Sequence, residues 1–371
     1  MKKVIVVALV LILLCVIGTG VMIKMSLDLM KPEPAPTTEP ATEPTTQPTT
    51  EPTTEPTTEP PPVYYNPLNG QILEEPYTGR VFACTISNIR DALPHVNATK
   101  ADILMEMFVN GSVIRCLALF TDIESVEAIG SVRSTRLMFN DIVQHYDAVL
   151  FHGGGSSQVL GNARNMGIDH FNIDSWEVSK HGVSYRDKEY HRGYEHSLFG
   201  VGPKMVEFAE SQGVRMTQPE DKDYGLRFAE DGTPENGETA EIVSVTITYN
   251  QKYHKPTEMK YNAELGKYVF WQYDKEMRDQ ITDEPEAFEN VIIMYTDISN
   301  DGIYQTANFT AGGNGYFACG GKLIPILWHC DSEDSPFFFT DTNGEPLTVG
   351  MGNTYIAITQ PDSRTSWGEA A

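Results

Sequence analysis

Read for the spacing of its apolar positions, the 371-residue chain falls into three regimes. Lys2 and Lys3 precede an unbroken run of apolar or small residues from Val4 to Ile23, closed by Lys24. A run of about twenty such residues matches the hydrocarbon thickness of a bilayer. It is longer than the apolar core of a typical signal peptide and is followed by no clear cleavage site, so residues 1–31 read as an uncleaved signal anchor. The membrane would be crossed once, through residues 4–23, with the flanking lysines inside and the bulk of the chain extracytoplasmic. In residues 32–62 large apolar side chains vanish and proline recurs at nearly every fourth position, in Thr-Thr-Glu-Pro and close variants. Proline at that spacing forbids helix and sheet, and nothing apolar remains to bury. The expected result is a disordered, solvated stalk, roughly 90–100 Å long in polyproline II.

From residue 63 the apolar positions take on the periods of folded structure. Val81 to Ser87 reads as a strand, and Asp102 to Phe120 holds two apolar runs around Asn110-Gly111, a strong hairpin signal. A short helix follows Arg136, then a buried strand from Asp147 to Phe151, then a helix over Val159 to Met166. Asp169 to Arg192 is irregular, polar and rich in His, Tyr and Arg, and a loop that long inside a compact domain points to function. Leu198 to Gln212 reads as an amphipathic helix ended by Gly213. Beyond a polar, acidic stretch come short strands: Ile242 to Tyr249, Lys267 to Trp271, Val291 to Tyr295, Tyr316 to Cys319, Lys322 to Trp328, Pro336 to Thr340 and Thr354 to Thr359. The expected fold is α+β in two lobes. An N-terminal mixed α/β lobe (63–217) carries a His-Gly-Gly-Gly loop after a buried strand, and a linker (218–240) leads to a C-terminal, mainly antiparallel β lobe (241–371).

Charge narrows the partners. The net charge is −24; residues 1–31 carry +3 and residues 32–62 carry −6, which leaves −21 on residues 63–371. A body this acidic repels nucleic acid, and any anion site on it must be a local basic pocket. Of five cysteines, Cys84, Cys116, Cys319 and Cys330 lie in the folded region without zinc-type spacing, and two disulfides or four buried thiols are both open. Asp297 to Gly302 has the look of a calcium loop but lacks its distal glutamate, and reads as a polar turn. Trp271, Trp328, Tyr273 and Tyr316 read as β-core or as a sugar-stacking surface.

The chemistry concentrates between Gly130 and Ser157. Arg133 and Arg136, with Ser134 between them, sit three apart where a turn enters a helix, so both forks can reach one side. His152-Gly153-Gly154-Gly155-Ser156 follows a buried strand and opens a helix, leaving backbone N–H groups free to meet an anion. The lipase oxyanion element has the same His-Gly-Gly-Gly lettering, but no Gly-x-Ser-x-Gly elbow occurs in the chain, which excludes an α/β-hydrolase. His152, His170, His181, His191 and His196 crowd the same region at spacings that match no helical metal-ligand pair. Arg192 and His196 are additions to the expected pocket, and His152 and His196 are its candidate general acids or bases.

Several segments share one pattern: Asn66 to Gly70, Ile129 to Arg136, Tyr146 to Ala148, His152 to Gly154, Tyr185-Arg186, His196, Trp271 to Asp274, Gly312 to Gly321 with Trp328, and Gly344 to Gly352. Together they resemble the YerB-like family of extracytoplasmic bacterial lipoproteins, a two-part domain of unknown function. The resemblance implies a bacterial surface protein with conjoined N- and C-terminal parts and supplies no activity. The sequence departs from it in having a plain anchor where relatives carry a lipidated cysteine, and Glu195-His196-Ser197 where Pro-His-Asn is expected. The leading expectation is a membrane-anchored envelope protein that binds an acidic glycan, a peptidoglycan fragment or a partner protein, with no cofactor or metal. The alternatives are a hydrolase of envelope phosphodiester or glycosidic bonds and a purely structural stalked scaffold.

Overall fold

The computed structural model describes residues 62–188, 193–250 and 252–370. The expected anchor and stalk, and with them Arg192 and His191, lie outside the described residues. Among those residues no helix is long and apolar enough to cross a membrane.

The first half begins with β1 (Phe82–Ser87) and the hairpin β2 (Ile103–Asn110) and β3 (Val113–Phe120), all strongly buried. Gly111 turns the hairpin at φ 50°, a left-handed conformation glycine adopts without steric cost. A short strand β4 (Ile129–Gly130) leads through the arginine turn into α1 (Leu137–His145), which buries Met138, Phe139, Ile142 and Val143 at helical spacing. Then come β5 (Val149–His152), buried throughout, and α2 (Ser157–Asn165), capped by the Ser156 hydroxyl, which accepts from the Val159 N–H at 3.3 Å.

The region expected to be irregular contains β6 (His170–Asn172), the single-turn helix α3 (Trp176–Ser179) and β7 (Ser184–Arg186). Elements of three or four residues are too short to show a period. The expected helix from Leu198 splits into β8 (Leu198–Gly200), paired with β4 and β7, and α4 (Gly202–Ser211). Gly202-Pro203 supplies the break, because proline suits the first turn of a helix and not its interior.

In the second half β9 (Ile242–Thr248), β10 (His254–Asn262) and β11 (Lys267–Gln272) form the centre of a six-stranded antiparallel sheet. Strand β10 has no apolar run in sequence and contains Pro256, yet its positions alternate between exposed and buried. It is followed by β12 (Asn290–Tyr295), β13 (Gly313–Cys319), β14 (Lys322–His329) and β15 (Thr354–Thr359). These join the first half in one eleven-stranded sheet whose main path runs Glu238–Thr239, β14, β13, β12, β15, β2, β3, β1, β5, β6. The seam between the halves is the parallel pair β15 and β2, with Thr354 opposite Ile103. Parallel pairing at β12/β15, β1/β5 and β5/β6 makes the sheet mixed, within an α+β fold whose C-terminal part is rich in strand. The stretch expected as a linker carries two short strands of its own, Arg227–Ala229 against Thr348–Gly350 and Glu238–Thr239 against β14.

The four cysteines of the folded region are buried free thiols. Trp328 is core, 1 % exposed, while the indole of Trp271 lies under the Lys260 ammonium.

Candidate functional site

The arginine turn and the glycine loop are laced together by their backbones. The Arg133 N–H donates to the Thr85 carbonyl of β1 at 2.9 Å, and the Val132 N–H to the Leu198 carbonyl of β8 at 2.7 Å. Going the other way, the Gly153 N–H donates to the Arg133 carbonyl at 2.9 Å and the Thr135 N–H to the Gly154 carbonyl at 3.0 Å. The Ser134 hydroxyl adds a bond to the Gly153 carbonyl at 3.1 Å. Residues 133–135 and 153–154 therefore form one unit at the C-terminal end of β5. Gly154 sits at φ +99°, and a Cβ on Gly153 would stand 3.0 Å from Leu198 Cδ2 and 3.2 Å from the Val132 carbonyl oxygen. A side chain would be strained by conformation at Gly154 and tightly crowded at Gly153.

Three guanidinium groups converge on this unit. Arg133 donates through Nη1 to the Glu195 carbonyl at 2.6 Å, and its Nη2 lies 3.2 Å from Glu195 Oε2. Arg136 donates to the carbonyls of Thr135 at 2.8 Å and Ser134 at 3.4 Å. The third is Arg115 of β3, 3 % exposed, whose Nη1 donates to the Ser134 carbonyl and whose Nε has no partner among the described residues. Burial, then Arg136 and Arg133, push the Arg115 pKa well down; burial and then Arg133 push Arg136 down. The carboxylate that answers these charges is Glu195, and its side chain is 74 % exposed. An exposed pair of this kind contributes little. Among the described residues the positive charge of the cluster is neutralised only in part.

Next to the cluster, α2 begins. Among the described residues the peptide N–H groups of Gly155, Ser156 and Ser157 have no protein acceptor. The Ser156 hydroxyl meets Tyr304 OH at 2.9 Å, and that phenol lies close enough to Arg136 to favour its charged form. Tyr304 is presented by the polar turn of the second half, where Asp301 Oδ1 accepts from the N–H groups of Ile303 at 2.8 Å and Tyr304 at 2.7 Å. That turn uses its acidic side chain on its own backbone.

The structure thus gathers Arg133, Ser134, Arg136, Gly153, Gly154, Gly155 and Ser156. His152 is placed differently from the expectation that it lines the pocket. Its side chain is fully buried beneath the loop, Nδ1 accepts from the Gly154 N–H at 3.0 Å, and Nε2 lies 3.0 Å from His170 Nδ1. Burial, then His170, push its pKa down to about 3, so the ring is neutral and holds the loop. His196 is also buried, 7 % exposed, in the turn Tyr194–His196 that carries Glu195. Arg192 lies outside the described residues. Arg115, Glu195 and Tyr304 join the site without having been expected. Only Arg115 left a trace in the sequence, as a charge inside the apolar run Ile114-Arg115-Cys116-Leu117.

A mixed central sheet shared by two halves, with a basic glycine-loop unit at the end of β5, defines an extended two-part α+β class. The chain belongs to the DUF3048 family, described as a protein of unknown function, matching its N-terminal domain over residues 68–215 and its C-terminal domain over residues 245–356. It is 25 % identical over 267 residues to the "Putative lipoprotein YerB" of Bacillus subtilis (strain 168), covering 71 % of this chain and 77 % of that protein. The crystal structure of YerB from Bacillus subtilis shares the fold, with a TM-score of 0.69 at 22 % identity over 81 % of this chain and 99 % of that one.

Proposed function

We propose that this protein is an envelope-facing binding module that captures an anionic ligand at the unit built from Arg115, Arg133, Arg136 and the glycine loop. The observation that carries this reading is Arg115: a buried guanidinium, crowded by two more arginines, whose Nε has no partner among the described residues and whose cluster is answered there by one exposed carboxylate. A buried charge without a partner is expensive, and a bound anion removes the cost. The free amides at the start of α2 supply further donors to the same ligand. An acidic glycan, a peptidoglycan fragment or an acidic partner protein would satisfy this chemistry. Binding is favoured over hydrolysis because the imidazole nearest the loop, His152, is buried and neutral, with both nitrogens engaged.

The setting follows from the chain's first segment. The apolar run 4–23 between lysines serves as a single-pass anchor, and the proline-rich repeat holds the folded part away from the membrane. The name of the Bacillus subtilis relative, a lipoprotein, is consistent with an anchored, extracytoplasmic site.

The test is retention of cell-wall fragments by the full-length chain in detergent micelles. Arg133→Ala and Arg136→Ala are each expected to weaken retention about tenfold or more, as loss of a charge-assisted hydrogen bond does, with the melting temperature unchanged. Retention untouched by the double variant would overturn the reading.

A further inference from the structure

One exposed aromatic ring is fastened next to the arginine cluster. Tyr194 directly precedes Glu195, the residue whose carbonyl and carboxylate meet Arg133, and it is 73 % exposed. The Arg186 guanidinium lies 3.7 Å from the centre of its ring and donates to the Tyr194 carbonyl at 2.6 Å. Arg186 is itself held by Asp174 at 2.6 Å. One face of the phenol is therefore fixed against a cation, and the exposure belongs to the rest of the ring.

The strand register sets the direction. Arg186 of β7 is paired with Leu198 of β8, so their side chains share a face of that small sheet. Leu198 is the residue whose side chain packs against Gly153. The clamp on Tyr194 therefore stands on the glycine-loop side. A second exposed ring, Trp176, 71 % exposed, follows Asp174 just beyond β6. Strand β6 is paired with β5 so that Asn172 lies opposite His152, at the base of the glycine loop.

We propose, resting on the anion-binding reading above, that the acidic group is recognised as part of an oligosaccharide. The arginines and loop amides take the anion, and Tyr194 stacks on the adjoining sugar ring. Ser156 and Tyr304 present hydroxyls at the same place. An aromatic ring with one open face and a polar edge suits the mixed apolar and hydroxylated faces of a pyranose. The net charge of −21 on residues 63–371 works against a nucleic acid, the other polyanion that stacks on tyrosine.

The experiment is calorimetric titration of the full-length chain in micelles. The probes are inorganic phosphate, galacturonate and its hexamer, a monosaccharide phosphate and a hexasaccharide built from it, and an acidic hexapeptide. At least one hexasaccharide is expected to bind about tenfold more tightly than its monosaccharide, a gain of the size aromatic contacts supply. Tyr194→Ala removes that gain and Tyr194→Phe keeps it, while phosphate binding is unchanged in both. Phosphate binding that depends on Arg133, with no gain for either hexasaccharide or no effect of Tyr194→Ala, overturns this inference and leaves the anion reading standing. An acidic peptide bound as tightly as the hexasaccharides also overturns it. Failure of every probe to bind overturns both.

Discussion

At the scale of single residues, burial works against the charged forms of Arg115 and Asp141. Among the described residues Arg115 makes no ion pair with a carboxylate, and two further guanidinium groups beside it depress its pKa after burial does. Replacing a buried, poorly paired charge by an apolar residue of similar volume is often stabilising, by about 1–4 kcal/mol. Arg115→Met is therefore expected to raise the melting temperature in phosphate-free buffer. Added phosphate raises the melting temperature of the natural protein by linkage and not that of the variant, so scans with and without phosphate check both arms. Asp141 of α1 offers a pH test. Burial, then Glu333, raise its pKa from 3.8 to about 7. In the window between those two values the folded state holds a proton that the unfolded state has released, so stability falls as pH rises from about 4 to about 7. Asp141→Asn is expected to flatten that slope and to stabilise the protein at neutral pH by an order of 2 kcal/mol, as denaturant titrations at pH 4 and pH 7.5 would show.

At the scale of elements, the bend after β5 and the hairpin turn at Gly111 make a controlled comparison. Both are left-handed glycines, but a Cβ at Gly111 would touch nothing within 4 Å, whereas Gly154 supports two backbone bonds that lace the loop to Thr135 and His152. Gly111→Ala is expected to cost about 1 kcal/mol and to leave ligand retention intact. Gly154→Ala carries comparable backbone strain of about 1–3 kcal/mol and abolishes retention, because the bend cannot hold its shape. Urea unfolding paired with the retention assay separates the two. The arginine turn and glycine loop were legible in the sequence because each is a contiguous stretch whose turn chemistry is local. The hairpin and the buried strand were legible for the same reason. What escaped has physical causes. Three-residue strands such as β6 and β7 show no period, and β10 buries alternate residues without an apolar run. Arg115 reaches the site from a strand of the central sheet and Tyr304 from a turn of the second half, positions 189 residues apart that only the tertiary fold brings together.

At the scale of the whole molecule, the two family parts are joined by buried charge as well as by the strand pair β15/β2. Glu106 of the first part is fully buried and receives the Lys255 ammonium of the second at 2.6 Å and the Tyr355 hydroxyl. His95, also fully buried, meets Glu286 Oε2 at 3.0 Å and the Ser87 carbonyl at 3.1 Å. Removing one partner of such a pair leaves an uncompensated buried charge and costs about 3–5 kcal/mol. Lys255→Met is therefore expected to lower the stability of both parts together, in one cooperative transition seen alike by far-UV and tryptophan signals. The His95 pair adds a dependence on pH with a definite sign. Burial lowers the His95 pKa, but the Glu286 carboxylate and the bonds to Glu286 and Ser87 outweigh it, so the folded value lies above 6.5. Between 6.5 and that raised value the folded state keeps a proton the unfolded chain has lost. The stabilisation is complete below pH 6.5 and disappears as pH climbs through the folded pKa. Urea midpoints should therefore fall on going from pH 6 to pH 9 in an Asp141→Asn background, which removes the overlapping titration of that carboxyl. In a His95→Asn, Glu286→Gln protein the fall should shrink, because the joint is then neutral at both ends; an undiminished fall would mean that another group carries it.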